Sequence, residues 1–476
     1  MDEIEVDYLV VGAGASGMAF VDALVAEDEE CEVLLVDRRH RPGGHWLDAY
    51  PFVRLHQPSA TYGVTSLDLG EDRIDRTGPN AGFYERATAA EIVGYYDTVL
   101  EQVLLPTGRV RFLGLSEHRE RDDGTQLVRS LLTGEETAVR ARRRVVDATY
   151  TESSIPKTHT PGFAIDEGAV VVPPNDLVDP GRAAAGYTII GGGKTSMDTC
   201  GWLLEMGVDP DRIRWVRSRD GWYFNRAFTQ PRDMVGSFMQ LQARWIAAAA
   251  AAGDARDFAR RLEASEVFLR VDPDEEPTAF RGATVSVGEI EALRTIEDVV
   301  RRGRVRRVTA DRIVFDDGEL PTGPDHLYVD CTAAGVPPTT PRPLFSPGRI
   351  ALEYVTLGFV PWGAATVGAV EALVDDDDEL KNRLCPPVVF SGHVADLLSF
   401  ADAGMRGLAA RSAEPAVSKW NDRCRLNPGR GAGAHLDDPA VADAFDVIGA
   451  NYFPALENLQ RLLSGDAGER AVAPSS

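Results

Sequence analysis

The stretch IEVDYLVVGAGASGMAFVDALVAEDEECEVLLVDRR, from Ile4 to Arg39, decides how the rest of the chain is read. Ile4 to Val11 is rich in β-branched and aromatic residues and reads as a strand. Gly12, Gly14 and Gly17 follow in G-x-G-x-x-G spacing and open a helix that runs through Val25. A second apolar strand, Glu32 to Val36, ends at Asp37. Each part has a physical reason. Gly12 permits a tight turn, Gly14 lets the backbone approach a pyrophosphate, and Gly17 lets helix and strand pack closely. The helix N-terminus, with Ser16 in its first turn, attracts phosphate; Asp37 accepts from a ribose hydroxyl, with Arg38 beside it. Strand, turn, helix, second strand and terminal acid therefore agree on a dinucleotide site.

The pattern returns in GYTIIGGGKTSMDTCGWLLEMGVDPDRIRWVRSRDGW, Gly186 to Trp222. Tyr187 to Ile190 is the strand, and Gly191, Gly193 and Ser196 hold the three small positions. Lys194 and Thr195 stand at the helix start, where further phosphate contacts are useful. The next strand ends at Arg217, with Arg219 two residues on and no acid where Asp37 stands in the first unit. A cation there suits a 2′-phosphate, so NADPH is expected over NADH. Two more apolar strands end alike, RRRVVDATY (Arg142 to Tyr150) and DHLYVDCTAAG (Asp325 to Gly335). In flavoproteins with two dinucleotide domains such strands close each domain and lead the chain back across the boundary, and the order fingerprint, D-A-T, fingerprint, D-C-T resembles that plan, which implies one dinucleotide domain inserted in another.

Composition bounds the partners. The chain has 476 residues and a formal net charge of −24, which argues against nucleic acid and anionic membranes. The longest small-apolar run, WIAAAAAAG (Trp245 to Gly253), is too short to span a bilayer and reads as an Ala-rich helix. Cys31, Cys200, Cys331, Cys385 and Cys424 form no C-x-x-C pair, so neither a dithiol centre nor a zinc ribbon is expected, and no metal site. A reduced, cytoplasmic setting is expected. A homodimer is the default assembly.

Between the first acid and the rest lies GGHWLDAYPFVRLHQPSATYGV, Gly43 to Val64, irregular and crowded with aromatic and polar residues. With this segment the chain resembles the class B flavoprotein monooxygenases: the flavin-containing, Baeyer–Villiger and N-hydroxylating enzymes. In that family a GG-x-W…YPG-x-R-x-D…Y segment lies along the flavin, and here Gly43, Gly44, Trp46, Tyr50, Pro51, Arg54 and Tyr62 match it. The resemblance implies FAD on the first fingerprint and NADPH on the second. Two departures stand out. His56 occupies the position of the family's Asp, and the F-x-G-x-x-x-H hallmark between the fingerprints is absent, with only Phe163 in its place.

The expected fold is α/β, with two Rossmann-type domains, the NADPH domain inserted in the FAD domain, and a helical substrate element. The expected boundaries are 1–155 and 331–465 for FAD, 156–330 for NADPH with a helical insertion at about 225–300, and a disordered tail at 466–476. The resemblance implies an NADPH-using monooxygenase in which a C4a-(hydro)peroxyflavin oxygenates a small organic substrate of natural-product or secondary metabolism, with O2 as co-substrate. Arg54, His56 and Gln57 are the candidate catalytic residues, as donors or acid–base groups, with Gln57, Gly44 and Trp46 also along the flavin. Trp222, Tyr223, Asn225, Phe359 and Trp362 are the candidate substrate contacts. The helix beginning near Gly363 would aim its N-terminus at the flavin. Two alternatives keep the fold: an NADPH-dependent flavoprotein reductase or dehydrogenase without oxygen insertion, and a non-catalytic FAD/NADP-binding redox sensor.

Overall fold

The computed structural model describes residues 3–470 apart from 180, 182, 324, 337–339, 357 and 389–390, and for 466–470 the backbone alone. Strand Glu3–Val11 sits at the centre of an eight-stranded sheet, flanked by parallel strands Val33–Val36 and Glu136–Asp147. Val110–Leu113 extends the sheet on one side and Arg349–Ala351 on the other, both parallel to their neighbours. A second sheet is parallel throughout: Val299–Val300, Ile213–Val216, Gly186–Ile190, His326–Asp330 and Val171–Val172. Its strands come from between the segments of the first sheet, as the interleaved motif order implies.

The two sheets repeat one local design. Val11, before the first glycine, is in register with Val36 and with Asp147; Ile190 is in register with Val216 and with Asp330. Each aspartate then caps its own exit. Asp147 Oδ1 accepts from Thr149 N (2.9 Å) and Oγ1 (2.7 Å), and Asp330 Oδ1 accepts from Thr332 N (3.0 Å) and Oγ1 (2.6 Å). Thr following Asp at this spacing satisfies backbone groups at the strand end. That accounts for the recurrence of D-x-T in the sequence.

The glycines work by absence of a side chain. Gly12 has φ +105°, a conformation L-residues rarely adopt. A Cβ on Gly17 would lie 1.9 Å from the Gly12 carbonyl oxygen, so helix Ala15–Glu27 could not sit so close to its strand. A Cβ on Gly191 would lie 2.6 Å from the Cys331 carbonyl oxygen, so the second turn sits tightly against the chain leaving strand His326–Asp330. Helix Val360–Leu373 lies close on Ala15–Glu27 because Gly368 has no side chain: a Cβ there would meet the Phe20 carbonyl oxygen at 2.5 Å.

The element at about 225–300 is not purely helical. It holds a three-stranded sheet, Phe268–Leu269, Gly221–Asn225 and Ala279–Val285, with helices Val235–Ala251 and Ala255–Ala264. Toward the end of the insertion, helix runs only over Val287–Leu293, and Val299–Val300 pairs with Ile213–Val216 at the edge of the second sheet. The two valines reach a strand partner that a helix would forfeit. At the C-terminus, helix Pro439–Arg470 enters the stretch expected to be disordered, packing on Val235–Ala251 and Asp396–Ala413; residues 471–476 lie outside the described residues. Among the described residues no helix is long and apolar enough to cross a membrane.

Gly17→Ala should lower the denaturant midpoint by at least about 1–3 kcal/mol of stability, because its Cβ has nowhere to go. Gly193→Ala, whose Cβ meets no heavy atom within 4 Å, should stay within about 0.5 kcal/mol. Chemical denaturation of both variants checks the contrast.

Candidate functional site

A cleft of about 990 Å³ runs past both glycine turns. Gly12, Gly14, Ala15 and Ser16 line it from the first, and Gly191, Gly192, Gly193, Lys194 and Thr195 from the second. Three helices, Ala15–Glu27, Lys194–Glu205 and Val360–Leu373, begin at its wall, with Val360 and Pro361 among the lining residues. Free N–H groups of three first turns give the cleft a preference for anions.

The first end of the cleft offers the groups that an adenosine diphosphate would need. The buried Asp37 lines it, and its carboxylate accepts from Ala13 N at 2.6 Å and Arg39 N at 2.7 Å. Two backbone donors fix its orientation while leaving lone pairs for a ribose. Gly44 lies directly against Gly14: a Cβ on Gly44 would come within 2.8 Å of Gly14 Cα, and Gly44 has φ +58°. The second glycine of G-G-x-W therefore seats that segment on the fingerprint turn. Trp46 and Tyr62 line the wall beyond, edge to face at 6.0 Å, with Trp46 Nε1 donating to the Tyr62 hydroxyl at 2.7 Å. Burial pushes the Tyr62 hydroxyl up to about 12. Arg38 is exposed at the rim and pairs with Glu152. Gly17 and Ser196 line nothing; Ser196 Oγ donates to the Gly193 carbonyl at 2.7 Å, so both shape the turns from behind.

The second end is cationic, and of the two expected arginines only Arg219 lines it. Arg217 is buried, its guanidinium 4.4 Å over the Trp215 ring and Nη1 3.0 Å from Asp220. Asp220 and Asp272 also bind Arg301, so this arginine belongs to a closed ionic network and does not line the cleft. Arg219 does line it, joined by Arg281 on strand Ala279–Val285 and by Arg304. None of the three makes an ion pair with a described residue; Arg281 donates only to the Ala334 carbonyl, at 3.3 Å. Burial and the neighbouring Arg219 charge lower the pKa of Arg281. Lys194 lines the turn, but its ammonium pairs with Asp198 and lies 3.9 Å from Glu289.

The three candidate catalytic residues separate. Arg54 is exposed outside the cleft, bridged to Thr88, with Nη1 donating to the Arg86 carbonyl at 3.3 Å. Val53 and Leu55 turn inward on either side of it, and strand-like alternation sends Arg54 out. His56 and Gln57 line the cleft. The Gln57 amide donates to Thr61 O (3.0 Å) and Oγ1 (3.3 Å), which leaves its carbonyl as the group to offer inward. Removal from water, then the Lys194, Arg226 and Arg86 charges, lower the pKa of His56 to about 4. At neutral pH it is an uncharged imidazole, an acceptor or neutral donor and not a cationic acid.

The five candidate substrate contacts all lie outside the cleft lining. Trp222 is fully buried and donates to Glu263 at 2.9 Å. The Tyr223 hydroxyl donates to the Gly192 carbonyl at 3.2 Å, bracing the second turn. Asn225 caps its own turn through Ala227 N and donates to Glu266 O. Phe359 packs on Phe238 and Trp362, and Trp362 donates to Asn421 at 3.2 Å. Aromatic side chains next to a cofactor strand fill the core behind it. The cleft is faced instead by Ala279, Arg281, Gly282, Ala283 and Thr284, a strand of mostly small residues whose lining positions carry no aromatic signal.

The glycine cradle, the amide-held Asp37 and the three unpaired arginines fit FAD at one end and an NADP-type dinucleotide at the other.

Comparison with known proteins places this geometry. The profile of an NAD(P)-binding Rossmann-like domain matches residues 10–70. Uncharacterized protein Rv2000 of Mycobacterium tuberculosis is 41% identical over 425 residues, 89% of this chain and 78% of that protein. Uncharacterized protein Mb2023 of Mycobacterium bovis matches to the same extent. The chain belongs to the same family as these mycobacterial proteins. Among solved structures, a polycyclic ketone monooxygenase from Thermothelomyces thermophila has 15% identity and a TM-score of 0.52 over 93% of this chain and 89% of its own. A cyclohexanone monooxygenase mutant from Rhodococcus sp. Phi1 bound to NADP+ has 15% identity and a TM-score of 0.50 over 87% and 98%. These likenesses show the fold: this chain shares with these two monooxygenases an α/β fold with two dinucleotide-type domains.

The neutral histidines carry a pH signature. His45, also on the cleft wall, is lowered to about 4 by burial and then the Arg39 charge. Both folded values lie below the ordinary 6.5, so between pH 6.5 and 4 the unfolded chain binds more protons and stability is lost as the pH is lowered. His56→Gln should make that decline shallower by about one proton. Denaturation midpoints of wild type and variant across this window measure the difference.

Proposed function

We propose that this protein is an FAD-dependent, NADPH-using monooxygenase acting on a small organic substrate with O2. The observation that carries the proposal is the pairing of two equivalent glycine turns on one cleft whose two ends carry opposite charge. One end offers the carboxylate of Asp37, and the other offers Arg219, Arg281 and Arg304. An acid suits an unphosphorylated ribose and a cation suits a 2′-phosphate, so the two dinucleotides are told apart by charge. Bound FAD, once reduced by NADPH, supplies oxygen chemistry that no side chain can. Sheet membership supports the division of the chain at residues 1–155, 156–330 and 331–465.

The residues supply position and protection. Trp46, Tyr62, Val53 and Leu55 make an apolar wall that keeps water from the reacting atoms. The Gln57 carbonyl can accept a hydrogen bond from a flavin N–H or a nicotinamide amide. The neutral His56 ring can take a proton from substrate without first losing one. The first turn of helix Val360–Leu373 begins on the cleft wall and would favour negative charge developing on a flavin held there. The reductase reading shares all these features and differs only in where the electrons go after flavin reduction.

Two experiments test the proposal. Reduced holoprotein mixed rapidly with O2 should pass through a spectral phase distinct from both reduced and oxidised flavin; return in one step would favour the reductase. Arg219→Ala should raise KM for NADPH about tenfold or more, the loss of one charge-assisted contact, and leave KM for NADH nearly unchanged. Arg217→Ala should lower stability without discriminating the two nucleotides.

A further inference from the structure

Behind His56 lies a charged node that the proposed reaction does not use. Arg226 is fully buried on the turn after strand Gly221–Asn225. Its Nε donates to the His56 carbonyl at 3.0 Å, and its Nη2 to Thr284 O at 3.3 Å and Glu289 Oε2 at 2.8 Å. Arg86 arrives from the first domain; its Nη1 donates to Leu55 O at 3.2 Å and stands 3.4 Å from Glu289 Oε1. Lys194 lies 3.9 Å from the same oxygen and pairs with Asp198, which also accepts from the Tyr50 hydroxyl at 2.8 Å. Glu289 additionally accepts from its own cap, Ser286 N, at 2.8 Å.

Charge does not balance in this node. Arg226, Arg86 and Lys194 share two carboxylates, Glu289 and Asp198, while His56 in their midst is neutral. Arg226 Nη1 and Arg86 Nε are buried without a hydrogen-bond partner among the described residues. Proteins seldom bury a guanidinium N–H unpaired, and an uncompensated buried cation is costly. The node opens on the cleft through His56, Lys194 and Tyr50, all lining residues, next to the apolar Val53 and Leu55. The dinucleotide phosphates already have the helix N-termini and the arginines at 219, 281 and 304. The surplus at His56 is thus left for another anion.

We propose that the substrate is a small organic acid whose carboxylate binds beside His56, drawn by the excess charge of Arg226, Arg86 and Lys194, with its apolar body on Val53 and Leu55. The monooxygenase reading enters only in calling this anion the substrate; the anion site itself stands on the unbalanced ion pairs. A charge-assisted contact of this kind separates an acid from its isosteric amide.

Calorimetric titration of the purified holoprotein, with NADP+ in excess, tests the proposal using benzoate and benzamide as probes. Benzoate should bind saturably and benzamide about tenfold more weakly or worse, and Arg86→Gln and Lys194→Met should each remove most of that preference. Arg86→Gln keeps the fully buried Arg226 in place and serves as the variant expected to fold. Equal binding of the two probes, absence of saturable benzoate binding, an undiminished preference in both variants, or benzoate binding that NADP+ abolishes would overturn the proposal. The heat of binding is read without turnover, so a failed oxygenase test and a failed anion test are told apart.

Discussion

The structure depends on how closely backbone can approach backbone at the ends of the parallel strands at the centre of two sheets. At Gly17 the contact with the Gly12 carbonyl is so tight that a Cβ would lie 1.9 Å from the oxygen, and Gly191 presses on the chain leaving the neighbouring strand, where a Cβ would lie 2.6 Å from the Cys331 carbonyl oxygen. These contacts set the helix starts against the strand ends. They align Val11 with Val36 and Asp147, and Ile190 with Val216 and Asp330. Once both turns are fixed, one cleft runs past both, and the segment from Gly43 to Val64 is held between them by Gly44 on Gly14.

That segment does two jobs. Its first half joins the domains: the Tyr50 hydroxyl donates to Asp198 at 2.8 Å, and Phe52 stacks on Trp202 at 4.7 Å and 14°, both partners on helix Lys194–Glu205. Its second half, His56 to Tyr62, faces the cleft and is braced from behind. Arg425 donates to Ala60 O and Tyr62 O at 2.8 Å each, and Arg226 to His56 O. The aromatic richness of the stretch thus reflects a domain joint as much as a cofactor wall. The chain's overall charge of −24 makes the cationic lining of this cleft a local exception, which is what an anionic ligand requires.

The turns, the strand order and the acid at Asp37 were legible in the sequence because backbone geometry dictates glycine, and its spacing survives any change in surroundings. Side-chain direction was not legible. Arg217 and Arg219 look equivalent in WVRSRDG, yet Asp220, Asp272 and Trp215 enclose the first and leave the second without an ion pair among the described residues; Asp220 is local to both arginines, and it is tertiary packing that brings in Asp272 and decides which of the two is enclosed. Arg54 matched a family position but alternates out of the cleft between Val53 and Leu55. Trp222, Tyr223, Phe359 and Trp362 stood out as aromatics, and burial of large apolar rings is the stronger force on such residues. Arg281, Gly282 and Ala283 gave no signal because a small-residue strand beside a cleft resembles any other edge. The helical insertion expected to about residue 300 gives way after Leu293, where Val299 and Val300 join strand Ile213–Val216.

If two dinucleotides meet in this cleft and exchange a hydride there, anaerobic titration of the FAD-loaded protein will show it. NADPH should bleach the oxidised flavin band stoichiometrically, and NADH should do so only at much higher concentration. A protein that binds no FAD, or a flavin that NADPH leaves oxidised, would rule this meeting out.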